Sequence, residues 1–367
     1  MISPRFRSRR QRWWLLPLAL VVLAALLHTA IWRSASDRLT QGFSAWTAER
    51  RALGWTVRYG APVRAGWPLS VSMRVPDFAL ESGPRTTPAG LTWQAEALTL
   101  RVALLDWDRL VASPGGRQRL DVAGQTFPFA ADRMELTLPL EGGAIPREGV
   151  LEVERLRLNS PWGAFDLGRG SLALRSRQSA TEAEPAFNVE LVLRQLGLPM
   201  PGPGALGQQV ALVELDASLS GPVPPIRQPT QRAEAWRDAG GTLDLRRIAL
   251  RWGPVGTTLS ATGTLDETLQ PMGAGQLELT GAAEAIEAMV AAGLVARGAG
   301  AALRGMDGLL ARPAPDGGPT VLELPFTLQD RRIGLGRLPL ARLPALQWPV
   351  PPEPPDAARD PSLPGSD

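Results

Sequence analysis

The chain has 367 residues, of which 44% are hydrophobic and 20% charged, the composition of a folded protein with room for a sizeable core. It has no cysteine and no lysine: all 39 basic residues are arginine, and His28 and Tyr59 stand alone as the histidine and the tyrosine. Disulfides, thiolate sites, Schiff-base and P-loop lysines, histidine triads and multi-histidine metal sites are thereby excluded.

The net charge of +3 is concentrated at one end. Arg5, Arg7, Arg9, Arg10 and Arg12 precede residue 13 with no acid among them, and without these five the other 34 arginines face 36 acids, a net −2. The body therefore lacks the basic excess that tracks nucleic acid, and no nucleic-acid partner is expected.

Trp13 to Trp32 is an uncharged run of 20 residues that spans ~30 Å as a helix, the thickness of a bilayer's hydrocarbon core. Trp13, Trp14 and Trp32, with Arg12 and Arg33, fall where the two membrane interfaces lie. The arginine bias predicts a cytoplasmic N-terminus, with the rest beyond an inner (cytoplasmic) membrane, in the periplasm. The alternative of a cleaved signal peptide is weakened by the length of the run and the lack of an A-x-A site after it. His28, near the end of the span, reads as a neutral imidazole reaching the headgroups. Ser34 to Leu53 then predicts a helix, capped by Ser36 or Asp37 and stopped by Gly54, either continuing or kinking off the span.

From Val57 to about Thr280 the apolar period is two. Leu98, Leu100, Val102 and Leu104 alternate with polar or small residues, as do Met134, Leu136, Leu138 and Leu140. Gly- and Pro-rich clusters punctuate the runs, and no helix is expected within them. The prediction is a mainly β fold: an extended, curved antiparallel sheet of repeated β units with one apolar and one polar face. Leu151 to Leu158 matches Leu243 to Leu250 at an offset of 92 residues, each reading Leu, acid, apolar, x, Arg, apolar, x, Leu. Alternation slips at the same point in both. A β-bulge there keeps Leu151, Val153, Leu156 and Leu158 on one face, and likewise Leu243, Leu245, Ile248 and Leu250. Residues 281–311 predict two helices with a break, Leu322 to Leu335 a hairpin turning at Gln329–Arg332, and the Pro-rich stretch from 347 a disordered tail. The expected organisation is a basic tail 1–12, an anchor 13–32, a helical connector 33–55, a β-rich domain 56–346 with its helical insert, and the tail 347–367.

Several motifs resemble an uncharacterised proteobacterial family, the domain-of-unknown-function family numbered 2125. They are Gly66-Trp67-Pro68-Leu69 entering a strand, Trp93-Gln94-Ala95 before Leu98, Asp121 to Pro128, and Leu328-Gln329-Asp330 followed by Ile333-Gly334-Leu335-Gly336 and Leu338-Pro339-Leu340. The likeness runs from about Arg33 to Leu346 and implies no established activity. More distantly, an N-terminal anchor followed by repeated amphipathic strands is similar to AsmA-type envelope proteins. That likeness implies a curved sheet whose apolar groove handles lipid between membranes.

Asp106-Trp107-Asp108 is the most enzyme-like cluster, since alternate strand residues share a face and two carboxylates could act as an acid/base pair or hold a hard cation; a solvated strand end is much the better reading of it. Arg331-Arg332 suits anionic headgroups or simple solubility. Trp67, Trp93, Trp107, Trp162 and Trp252 read as packed side chains more readily than as ligand contacts. No catalytic residue, metal site or cofactor is expected. The reading is of an envelope protein that binds membrane lipid or another apolar ligand along Leu98, Leu100, Val102, Leu104, Leu136, Leu138 and Leu140. The alternatives are a structural or interaction protein of the envelope, with other envelope proteins as partners, and, remotely, a carboxylate-dependent hydrolase.

Overall fold

The computed structural model describes residues 8–82, 90–140, 147–177, 181, 184–224, 228–293, 295–298, 300–301, 305, 320–335 and 338–348. The tail expected beyond Trp348 and most of the second helix expected after residue 293 lie outside these. Helix α1 (Ser8–Ala52) is continuous from the basic N-terminal residues through the apolar stretch to the connector, so span and connector form one helix without a break. Pro17 lies inside it. Ser36, Phe43 and Thr47 are buried at i, i+7 and i+11, one face of the helix, whereas the apolar stretch from Leu16 to Ile31 is largely exposed.

The rest is mainly β. The strands are β1 (Trp55–Arg58), β2 (Val63–Ala65), β3 (Ser70–Ser82), β4 (Leu91–Ala103), β5 (Asp106–Val122), β6 (Gln125–Ala130), β7 (Arg133–Pro139), β8 (Glu148–Ser160) and β9 (Gly163–Ser176). They continue as β10 (Pro185–Gly202), β11 (Gly207–Ser220), β12 (Thr242–Trp252), β13 (Val255–Leu265), β14 (Pro271–Thr280), β15 (Val321–Gln329), β16 (Arg332–Leu335) and β17 (Leu338–Arg342). All 17 belong to one sheet. Their registers make an antiparallel meander in chain order, as short turns between amphipathic strands dictate. β1 and β2 share one edge of β3, and β6 and β7 share one position between β5 and β8. Most strands from β3 to β15 are well above the usual length; the 13 residues of β3 alone reach ~43 Å.

The fold class is thus as expected, with one helix missed. α2 (Pro229–Asp238) interrupts the run between β11 and β12. Its start and stop are written in Pro229 at the first turn and Gly240-Gly241 after it, but its apolar face is only Ala233 and Trp236, too short for a periodic signal. α3 (Ala282–Ala291) is the first of the two helices expected after the strands.

One closed core lies where the second half of α1 crosses β1, β3 and β4. Phe43 packs with Val57, Met73, Val75, Phe78, Leu98 and Leu100, with Tyr59 and Trp93 at its border. Ring contacts run from Tyr59 to Phe43 (5.0 Å) and from Phe78 to Trp93 (5.5 Å). A smaller core forms at the other end of the sheet, where Ala288 of α3 meets Leu206 and Val255.

A crease crosses the sheet. In β3 the inward residues are Val71, Met73 and Val75, then Phe78; the residue skipped, Asp77, has a positive φ of 49°. Arg155 in β8 (φ 47°) and Gln195 in β10 (φ 58°) do the same, with Gly168 of β9 between them. Because β8, β9 and β10 all slip at one level, their mutual register stays unbroken. The slip anticipated at Arg155 is therefore concerted across three strands. Its counterpart at Arg246-Arg247 is an ordinary bulge, with β12 shifted against both neighbours. A Cβ on Gly170 would lie 3.0 Å from Leu167, 3.3 Å from Leu193 and 3.9 Å from Val153, which puts residues from before and after the slip on one face.

Candidate functional site

Directly paired residues in a sheet point to the same side, so the registers trace what each face presents. Starting at Met73 of β3, successive partners are Leu100, Ala112, Leu136, Leu151 and Leu172. The row continues through Leu191, Leu215, Ile248, Leu259, Leu277 and Leu324 of β15. Twelve strands thus contribute one unbroken line of apolar side chains. A parallel row passes through Val153, Gly170, Leu193, Val213, Leu250, Thr257, Leu279 and Leu322.

Cover differs along the row. Met73 and Leu100 are buried under α1, whereas the ten residues from Ala112 to Leu324 are only half-buried. The described helices pack chiefly on β1, β3 and β13. The residues expected to line a groove therefore divide. Leu98 and Leu100 line no open groove but belong to the closed core, in one buried cluster with Phe43 of α1. Val102 is half-buried near the end of β4. Leu104 lies in the β4–β5 turn and Leu140 beyond β7, where alternation no longer assigns a face; neither lines the sheet. Leu136 and Leu138 are half-buried on β7, Leu136 within the row. The longer part of the apolar face, from β8 to β15, was legible only as separate strands, since registers between distant segments are not written in any one of them.

This face carries a pocket of about 450 Å³ between α2 and β11–β15. Leu219, Leu243, Gly263, Gly273 and Leu328 are successive partners across its floor, with Leu245, Ala261, Gly275 and Phe326 in the next row. Glycine and alanine in the middle, with leucine and phenylalanine at the sides, make a trough. A Cβ on Gly273 would approach the Thr262 carbonyl to 2.6 Å, so the strands run too close there for any side chain. Ala233 and Trp236 of α2 form one wall, and Trp236 Nε1 donates to the Ser220 carbonyl at 2.9 Å. Trp348 closes part of the rim, its Nε1 donating to the Leu269 carbonyl at 3.0 Å, so the chain stays packed past the expected start of the tail at 347. The size lies within the range of small-molecule pockets, and the lining is almost wholly apolar.

The opposite face is polar. Arg175 bridges Glu148 (3.7 Å) and Glu190 (2.7 Å), Arg247 pairs with Glu214 (3.1 Å), and Arg246 chelates Asp216. The hydrogen bond that Arg246 donates to the Asp216 carboxylate holds the guanidinium above its ordinary pKa. Such exposed pairs contribute little to stability each, but they keep one face wet while the other stays apolar.

Asp106 and Asp108 sit fully exposed at the start of β5; their mutual hydrogen bond, with smaller help from desolvation and charge repulsion, raises the Asp106 carboxyl above the usual carboxylate value. No group of three or more potential metal-ligating side chains occurs among the described residues. Of the five tryptophans read as packed, Trp93 and Trp252 are, but Trp67, Trp107 and Trp162 are exposed, because each sits in or beside a turn beyond the reach of a core. Trp32 Nε1 donates to the Ser70 carbonyl (2.8 Å) and Arg33 is exposed, whereas Arg12, Trp13 and Trp14 lie on the first turns of α1.

A family model described as "Uncharacterized protein conserved in bacteria (DUF2125)" matches residues 32–344, and the chain belongs to that family. No curated protein and no solved structure matches the chain. The comparisons do not extend the relationship to AsmA-type proteins.

Proposed function

We propose that this family member is a non-catalytic, single-pass membrane protein of the cell envelope that holds the acyl chain of a membrane lipid along its apolar sheet face. The observation that carries the reading is the apolar row crossing twelve strands, ten of whose members are only half-buried. An apolar face this long needs a second layer. Among the described residues the helices supply one at the α1 end and beside β13. Acyl chains lying along the row cover part of the remainder: each CH₂ withdrawn from water contributes about 0.8 kcal/mol, so ten carbons return about 8 kcal/mol against the cost of association. The trough under α2 has the room and lining for such a chain to terminate in.

α1 has the length and composition to cross a bilayer. The five arginines before it support a cytoplasmic N-terminus and a periplasmic sheet. A cysteine at Ser3 then resists an impermeant thiol reagent in intact cells while one at Glu267, in an exposed turn, reacts; the reverse pattern refutes the orientation.

Native mass spectrometry of the full-length protein, released from nanodiscs, tests the ligand. The reading expects phospholipid or fatty acid retained through delipidation. It also expects Leu215→Asp, in the middle of the row, to lose that ligand while keeping its β circular dichroism. A lipid-free protein that takes up no fluorescent fatty acid leaves the structural alternative in its place.

A further inference from the structure

The apolar face does not account for a second apolar feature, a set of exposed side chains clustered on turns beside α1. The β2–β3 turn presents Trp67 and Leu69, the β4–β5 turn Leu105, the start of β5 Trp107, and Leu140 follows β7. Leu105 is 98% exposed, Leu69 77% and Trp107 75%. Hydrogen bonds tie these turns together. The Leu104 N–H donates to the Leu69 carbonyl (3.2 Å), and the Leu140 N–H to the Asp108 carbonyl (2.6 Å). Exposed apolar side chains scattered singly need no explanation, but a contiguous group on tethered turns marks a contact surface.

Two further bonds fix its height along α1. Trp32 Nε1 donates to the Ser70 carbonyl, and His28 Nε2 lies 2.7 Å from the Pro68 carbonyl, to which it donates when that nitrogen carries the proton. From Trp32 to His28 is four residues, ~6 Å along the helix axis, in the direction of the apolar stretch. Followed backward from Ser70 to Pro68, the chain therefore descends beside α1 to the level of Leu27 and Ile31, both exposed.

We propose that the Trp67–Leu69 and Leu104–Trp107 turns, with Leu140, form a lip that sinks into the headgroup and upper acyl region of the leaflet from which α1 emerges. The proposal deepens the lipid-holding reading and rests on its premise that α1 spans the bilayer. Tryptophan rings, apolar with one polar N–H, suit this depth, and Leu69 and Leu105 suit the layer just beneath. Asp106 and Asp108, at the start of β5, oppose deep insertion as charges and so limit the lip to the headgroup and upper acyl region. The lip is also placed to serve the sheet. Leu110 and Leu138, cross-strand partners just inside it, are half-buried residues at this end of β5 and β7. A lipid leaving the leaflet at the lip meets apolar side chains without crossing open water.

The absence of cysteine allows single spin labels in the full-length chain, reconstituted in nanodiscs of phosphatidylethanolamine and phosphatidylglycerol. Three sites suffice: Leu105→Cys on the lip, Leu23→Cys within the apolar stretch, and Asn159→Cys, exposed at the opposite end of β8. The readout is collision accessibility to oxygen relative to a water-soluble nickel chelate. The lip requires a ratio at Leu105 several-fold above that at Asn159 and approaching that at Leu23. If Leu105 matches Asn159 while Leu23 reports lipid, the lip is overturned and the anchor stands. If Leu23 itself reports water, the anchor and the lip fall together.

Discussion

The sheet under α1 and the sheet from β8 to β15 present the same kind of surface with opposite outcomes. Both alternate apolar and polar residues at period two. Under α1, Phe43 and its neighbours close over Met73, Val75 and Phe78, each no more than 1% exposed. From β8 to β15 the members of the row that begins at Met73 stay half-buried. Alternation thus decides which face is apolar, and only the placement of a covering element decides whether that face is core or surface. The closed region buries its apolar side chains within the protein; the open region leaves its own partly exposed, the surface on which the proposed lipid binding rests.

The contrast can be broken by truncation. Phe78→Ala is expected to cost about 3–5 kcal/mol, the range for a large side chain in a sealed core, as a fall in the denaturant midpoint. Leu259→Ala, in the open part of the row, is expected to cost only about 1–2 kcal/mol, because much of its surface already faces outward. Equal losses at the two sites would mean that the long part of the face is sealed as well. A smaller effect concerns the β13–β14 turn at one end of the trough. Burial alone would raise the Asp266 carboxyl, but hydrogen bonds from Gln270 and Thr268, with the charge of Arg237, together outweigh it and hold the group below its ordinary 3.8. A carboxyl lowered in the folded state stabilises above its unfolded pKa, and that contribution is lost as pH falls through the folded value. Thermal midpoints should therefore lose slightly more on acidification below 3.8 in the parent than in Asp266→Asn, which has no such proton to take up. Identical pH profiles would show that the turn gains nothing from the charge.

The two regions were unequally legible. The apolar helix, the strands and the paired slips at Arg155 and Arg246-Arg247 follow from local pattern, because periodicity and charge lie within short windows. The sealing of Leu98 and Leu100 does not, since it depends on Phe43, more than fifty residues away, crossing just those strands. α2 escaped because ten residues with two buried side chains carry too little periodic signal. The exposed tryptophans were misjudged for a related reason: Trp67, Trp107 and Trp162 carry the residue type of a core, but Trp67 and Trp162 lie in turns and Trp107 at the first residues of a strand beside one. The trough needed registers across five strands before its glycines lined up.

Lipid holding, as proposed, requires that the half-buried row from β8 to β15 contacts acyl chains. Photo-crosslinking of the full-length protein in nanodiscs doped with a diazirine fatty acid, followed by peptide mapping, tests it most directly. Adducts are expected on strand peptides containing Leu191, Leu215, Leu259 and Leu277, with none on the strand residues sealed beneath α1. Adducts confined to the apolar stretch of α1, with the strands unmodified, would contradict it.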